Sequence, residues 1–113
     1  IEIVYGLRNF IGNANKFSRE KVYINLKSDS EITEVVIEDD GNGYSRDVLS
    51  KIGEPYLRSS NPQEKSKTGL GLGLFIGKTL LEKNFASVEC RNSKTRSGAE
   101  VIIRWKNKDL FNI

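Results

Sequence analysis

The sequence predicts an α+β fold in two layers, one β-sheet with helices packed on one of its faces. Three observations predict it. Apolar residues recur every three to four positions near the start of the chain and again after its middle. Between and after those segments lie two pairs of short apolar runs of strand type. The resulting order is helix, two strands, short helix, polar segment, helix, two strands, with no internal repeat, and 113 residues suit a single domain spanning residues 1–113.

Composition narrows the function. At 37% hydrophobic and 29% charged, the chain has the balance of an ordinary globular domain. No apolar run approaches the ~20 residues of a membrane span, and no signal-peptide pattern is present, so no membrane contact by this domain is expected. The first residue is not Met and the chain opens in mid-pattern, which reads as a piece of something longer. A net charge of +3 suits an anionic ligand; it is too small to argue for nucleic acid, and no aromatic-basic interleaving supports that partner. Cys90 alternates with Ala86 and Val88, as a small buried residue of a reducing compartment would; a redox role is the alternative. His is absent, which removes His-based acid–base catalysis and His metal sites from this chain.

The first helix is expected over Ile3 to Ser18, with Ile3, Leu7, Phe10 or Ile11, Ala14 and Phe17 or Ser18 as its apolar stripe. Asn9, Asn13 and Lys16 form a second stripe at i, i+4 and i+7. Asn costs roughly 0.5 kcal/mol against Ala inside a helix. Either this is a solvated face, or amide oxygens are offered to a hard cation with Lys16 beyond them for an anion. Mg²⁺ would suit such a set, because it takes oxygen ligands, keeps several waters and shares phosphate oxygens.

Val22–Leu26 alternates and Glu34–Glu38 is β-branched, so both read as strands, joined through a turn at Asp29-Ser30. The second strand runs into Asp39-Asp40-Gly41-Asn42-Gly43. That segment is either a plain loop, since Asp-Gly and Asn-Gly are turn dipeptides, or a strand-end carboxylate placed to accept from a ligand N–H. In the second case the two glycines would let a flat ring approach the backbone. Ser45 fits the N-cap of a short helix through Lys51. Residues 59–67 hold no apolar side chain and read as a mobile segment, either a lid or a bare surface loop.

Gly69, Gly71 and Gly73 alternate with Leu70, Leu72 and Leu74 and run into a helix expected from Phe75 to Glu82. Its apolar face is expected to carry Leu72, Phe75 or Ile76, Thr79 or Leu80, and Lys83. A glycine-rich loop feeding a helix N-terminus can hold phosphate, since backbone N–H groups approach freely at the positive end of the dipole. Tight packing is the other reason for such glycines. The P-loop pattern fails because position 72 is Leu, and the dinucleotide fingerprint fails because Leu74 or Ile76 stands at its third glycine. Ser87–Arg91 and Gly98–Trp105 read as the last two strands, with Ala99, Val101, Ile103 and Trp105 on one face.

Taken together, four motifs resemble those of a known family. Asn9-x3-Asn13-Ala14-x-Lys16-Phe17, Asp39-x-Gly41-x-Gly43, Glu54-Pro55-Tyr56-x-Arg58 and Gly69-x-Gly71-Leu72-Gly73-Leu74-x-Ile76 resemble, in order and spacing, the N, G1, F and G2 boxes of the ATP-binding catalytic domain of sensor histidine kinases. These belong to the GHKL superfamily of gyrase, heat-shock chaperone, histidine kinase and MutL proteins. The resemblance spans roughly residues 5 to 105 and is nearest to the redox-responsive RegB/PrrB/ActS type, through Tyr5-Gly6-Leu7, Gly53-Glu54-Pro55-Tyr56 and Gly71–Ile76.

The resemblance implies a two-layer sandwich with a mixed sheet, and ATP and Mg²⁺ as ligands. It implies that Asn13, assisted by Asn9, holds Mg²⁺, that Lys16 and Arg58 neutralise phosphate, and that Phe17 packs near the nucleoside. Asp39 would receive the adenine amino group, with Gly41 and Gly43 leaving room for the base. Gly69, Leu70, Gly71, Leu72, Gly73 and Leu74 would wrap the phosphates, residues 58–68 would be the ATP lid, and Tyr56 and Thr68 would complete the nucleotide set. The implied activity is donation of the γ-phosphoryl group to a histidine on a separate dimerisation/phosphoacceptor domain of the same kinase, with a response regulator downstream. The implied location is cytoplasmic, in a membrane-anchored bacterial sensor.

The chain departs from the family in three places. It has no His to phosphorylate, the F box has Gly53 and Tyr56 where two Phe are usual, and Ile1–Val4 leave almost no room for a strand before the first helix, as though the fragment were clipped. Two rival functions remain. Hydrolases of the superfamily have Glu at the first N-box position, where Asn9 cannot take a proton; a non-catalytic nucleotide-binding or interaction module is the other.

Overall fold

The computed structural model describes residues 1–51 and 69–111, with the backbone alone at 50–51 and 69–72. Helix α1 runs Glu2–Phe17, with Gly6, Phe10 and Ala14 buried and Ile3, Leu7 and Ile11 packed beside them, as its apolar spacing predicts. Strands β1 (Val22–Ser28) and β2 (Ile32–Asp39) form an antiparallel hairpin. Its turn is set by Asp29, whose Oδ1 accepts the N–H groups of Glu31 and Ile32, both at 2.8 Å. Helix α2 (Arg46–Lys51) begins where expected, the Ser45 hydroxyl accepting the Val48 N–H at 3.2 Å.

Helix α3 spans Gly69–Lys83, so the run expected as a glycine loop is already helical from Gly69. The three leucines between the glycines are strong helix formers, and Leu74, 1% exposed, fixes the helical phase from inside the core. Its buried face is Leu74, Gly77 and Leu81; of the expected stripe, Phe75 and Leu80 are half-buried, whereas Ile76, Thr79 and Lys83 are exposed. A helix apolar on most sides cannot declare its inner face by periodicity. Here the choice is made by α1. A Cβ on Gly77 would lie 2.8 Å from the Phe10 ring, and one on Gly6 would lie 2.7 Å from Leu81 Cγ, so each helix supplies a glycine where the other supplies bulk.

Strands β3 (Ser87–Asn92) and β4 (Ala99–Lys106) follow, then a short helix α4 (Asn107–Leu110) where the sequence suggested only a terminus. The sheet order is β1-β2-β4-β3. All neighbouring pairs are antiparallel, so the expected mixed sheet is corrected to an antiparallel one among the described strands. The helical crossover leaves β2 and β3 pointing the same way, but β4 lies between them and keeps every adjacent pair opposed. The two-layer α+β arrangement itself is as expected. Ile37, Val101, Ile103 and Trp105 join Phe10, Leu74 and Leu81 in a single core between sheet and helices. The other sheet face carries cross-strand ion pairs such as Arg104 with Glu34, 2.7 Å.

Candidate functional site

The antiparallel apposition of α1 and α3 leaves an open cleft of about 240 Å³, lined by Arg8, Asn9, Gly12, Asn13, Lys16 and Gly73. The expected polar stripe of α1 therefore faces the glycine-rich end of α3. Asn9 donates its Nδ2 to the Tyr5 carbonyl at 2.8 Å, the helical back-bond that fixes which way the amide turns. Its oxygen is left toward the cleft, 3.8 Å from where a Gly73 Cβ would stand. Among the described residues no hydrogen bond engages the Asn13 side chain. Lys16 Nζ lies 5.5 Å from the centroid of the Phe17 ring, within cation–π range.

The acidic loop after β2 closes on the C-terminal end of the same helix. Asp39 is only 3% exposed, and its Oδ1 accepts the Gly41 N–H at 2.9 Å and the Ala99 N–H at 3.2 Å. A Cβ on Gly41 would lie 2.1 Å from the Phe17 carbonyl oxygen. The next residue, Asp40, ties down the chain leaving α1 by accepting the N–H groups of Arg19 at 2.8 Å, Glu20 at 3.1 Å and Lys21 at 3.2 Å. Those bonds, the Glu20 N–H foremost, hold its carboxyl below the usual range. Arg19 adds a bond from Nη2 to Asn42 Oδ1 at 2.8 Å.

Several expectations change here. The space freed by Gly41 and Gly43, expected to admit a flat ring, is filled by protein. Phe17 occupies the first, and the Asn92 side chain the second, where φ of +76° also suits glycine. Leu74, expected among the residues wrapping the phosphates, has its side chain in the core. The helix starts at Gly69, so its first-turn N–H groups are those from Gly69 onward and not those from Phe75. Gly69, Leu70, Gly71 and Leu72 are described only as backbone of that helix. Tyr56, Arg58, Thr68 and the expected lid at 58–68 lie outside the described residues.

Sequence reasoning missed four residues around the site. Arg8 lines the cleft, and a helical wheel placing it one turn before Gly12 could have shown it. Asp40 was passed over beside Asp39. Asn92 holds the Tyr44 backbone from both sides, accepting its N–H at 2.6 Å and donating to its carbonyl at 3.0 Å. Gly98 presses on Asp39 so closely that a Cβ would stand 2.0 Å from the Asp39 carbonyl oxygen. Nothing local in the sequence announces the last two, because the contacts join segments far apart in the chain.

No group of three or more His, Cys, Asp or Glu side chains that could hold a metal occurs among the described residues. The amide oxygens of Asn9 and Asn13 would hold only a hard ion that brings its remaining oxygens as water and phosphate, which fits Mg²⁺.

Residues 1–109 match the family described as histidine kinase-, DNA gyrase B-, and HSP90-like ATPase. The chain belongs to this family. Within it the domain is of the sensor histidine kinase kind. It is 38% identical over 97 residues to the sensor histidine kinase RegB of Cereibacter sphaeroides, covering 81% of this chain and 21% of that protein. It is 28% identical over 87 residues to the sensor histidine kinase CpxA of Escherichia coli, covering 77% of this chain and 19% of CpxA. The chain thus spans about a fifth of the length of the curated relatives it matches. Among solved structures it resembles the mycobacterial sensor histidine kinase MprB, with TM-score 0.71 and 25% identity over 90% of this chain and 70% of that one. The fold also matches full-length ShkA in complex with AMPPNP, with TM-score 0.71 and 24% identity over 92% of this chain and 21% of that one. The kinase resemblance of the four motifs is borne out, as is its RegB character.

Proposed function

We propose that this ATPase-family domain binds Mg-ATP and presents the γ-phosphoryl group to a histidine on a separate dimerisation/phosphoacceptor domain of a two-component sensor kinase. The observation that carries the reading is one cleft in which Asn9, Asn13 and Lys16 on α1 face Gly73 of α3, with the Asp39 loop packed against the C-terminal end of α1 beyond it. ShkA, which shares the fold, is known in complex with AMPPNP, which supports a nucleotide as the ligand.

Each residue has a role set by its chemistry. Asn13 and the Asn9 oxygen would hold the cation, whose positive charge would offset the negative charge of the triphosphate. Lys16 adds a second positive charge to the phosphates, and the first-turn N–H groups of α3 from Gly69 onward donate to them. Gly71 and Gly73 keep that turn open to close approach. Phe17 packs against the nucleoside. Asp39 already spends Oδ1 on two backbone N–H groups, which orients the carboxylate to accept the adenine amino group; guanine would place a carbonyl there and be rejected. Tyr56, Arg58, Thr68 and a lid over 58–68 enter the reading on the family resemblance.

Phosphoryl transfer asks the protein chiefly for positioning and charge neutralisation, which these groups supply. The chain contains no His, so the acceptor comes from another domain, and a response regulator follows downstream. Asn9 cannot accept a proton from water, which disfavours hydrolysis. Among the described residues no helix is long and apolar enough to cross a membrane, and we place the domain on the cytoplasmic side of a membrane-anchored parent.

The test is transfer of labelled γ-phosphate from ATP to a separately supplied phosphoacceptor hairpin of the parent protein, in the presence of this chain and Mg²⁺. Label on the hairpin histidine is expected. Nucleotide binding without transfer to any cognate hairpin would favour a non-catalytic module instead. Asp39→Asn keeps an acceptor for Gly41 and Ala99 but turns a donor toward the adenine amino group; it should weaken ATP binding at least about tenfold.

A further inference from the structure

We propose that Arg8 contacts the terminal phosphoryl group of the bound nucleotide and gives the domain its preference for ATP over ADP. This rests on the nucleotide reading above and adds a residue that its motifs do not include.

The argument follows the direction of α1. Gly41 meets the Phe17 carbonyl, so the Asp39 loop, and with it the base, belongs at the C-terminal end of the helix. From there the cleft passes Lys16, then Asn13, then Asn9, and Arg8 stands farthest from the base. At 1.5 Å per residue, Lys16 and Arg8 are about 12 Å apart along the axis, so their long side chains can reach inward to opposite ends of one triphosphate. Arg8, Gly12 and Lys16 share one row at i, i+4 and i+8. A Cβ on Gly12 would meet nothing within 4 Å, so the space between the two cations is open.

Arg8 is exposed, and among the described residues no carboxylate pairs with it. Its planar guanidinium can bind two phosphate oxygens at once, and a terminal phosphoryl group, with three unbridged oxygens and a higher charge, suits it better than an internal one. Lys16 faces phosphates common to ATP and ADP; Arg8 faces the one that only ATP has.

The experiment is equilibrium binding of Mg-ATP and Mg-ADP, at fixed ionic strength, to the wild-type chain and to Arg8→Ala and Arg8→Lys. Arg8→Ala is expected to raise the Kd for ATP about tenfold, the scale of one lost charge-assisted hydrogen bond, while the ADP value stays within about twofold. Arg8→Lys should recover part of the loss. Thermal melts should coincide for all three, since the side chain is at the surface. Equal weakening of both nucleotides, or no weakening of either, would overturn the assignment while leaving the nucleotide reading intact. A wild-type chain that binds neither nucleotide would end both.

Discussion

Gly98→Ala probes the contact between the β3–β4 connection and the acidic loop with a single methyl. An added Cβ would stand 2.0 Å from the Asp39 carbonyl oxygen and 2.3 Å from its Oδ1, both far inside van der Waals contact. Neither neighbour can yield cheaply. The carbonyl is backbone at the end of β2, and Oδ1 is held by the Gly41 and Ala99 N–H groups. Overpacking of this kind costs about 1–3 kcal/mol, and losing the Ala99 bond adds about 1, giving a loss of about 2–4 kcal/mol. For a domain of this size each kcal/mol moves the midpoint by about 4 °C, so Tm should fall by about 8–16 °C. The matched control is Gly12→Ala, mid-helix with open space around it. There the only change is helix propensity, and stability should rise by about 1 kcal/mol, or about 4 °C. Both variants can be read by urea titration and by thermal melting. Gly98→Ala should also lose whatever protection Mg-ATP gives, since Asp39 is displaced. A Gly98→Ala protein melting within about 2 °C of wild type would refute the close contact and the reasoning built on it.

Other outcomes can be checked alongside. Trp105 is buried and donates its indole N–H to the Asn84 carbonyl at 3.1 Å, so Trp105→Phe should cost about 1–2 kcal/mol through that orphaned acceptor, read by denaturant titration with circular dichroism. Phe85 ends α3 in the left-handed region at φ 72° while 56% exposed; Phe85→Asn should stabilise by about 1 kcal/mol, and a loss would mean that its ring packs after all. Burial pushes the Cys90 thiol up to about 12, so the unfolded chain ionises first and stability should fall as pH rises above about 9, an effect that Cys90→Ala should remove. The native thiol should also resist alkylation at pH 8 until the protein is unfolded. Asp40 is depressed in the fold, so its contribution is present above the ordinary carboxylate range and lost as pH falls through the folded value. The gap between wild type and Asp40→Asn should therefore be widest near neutrality and close in acid; a gap independent of pH would contradict the triple N–H clamp.

Much of this domain was decided locally. The apolar spacing of α1, the alternation of its strands, the Asp29 turn and the Ser45 cap all follow from neighbours a few residues apart, so the chain states them outright. The polar row of Asn9, Asn13 and Lys16 was legible for the same reason: one helix carries it, and helical geometry alone puts it on one side. What lay opposite that row was not legible. That Gly73 faces it, that Leu74 turns inward, and that the space beside Gly41 and Gly43 is filled by Phe17 and Asn92 depend on how α1, α3 and the sheet close on one another. A helix apolar all round has several acceptable inner faces, and only the fit of Phe10 against Gly77 and Gly6 against Leu81 selects one. The strand order is of the same kind. Hydrophobic alternation assigns residues to faces, but it was the insertion of β4 between β2 and β3 that made the sheet antiparallel and brought Gly98 against Asp39.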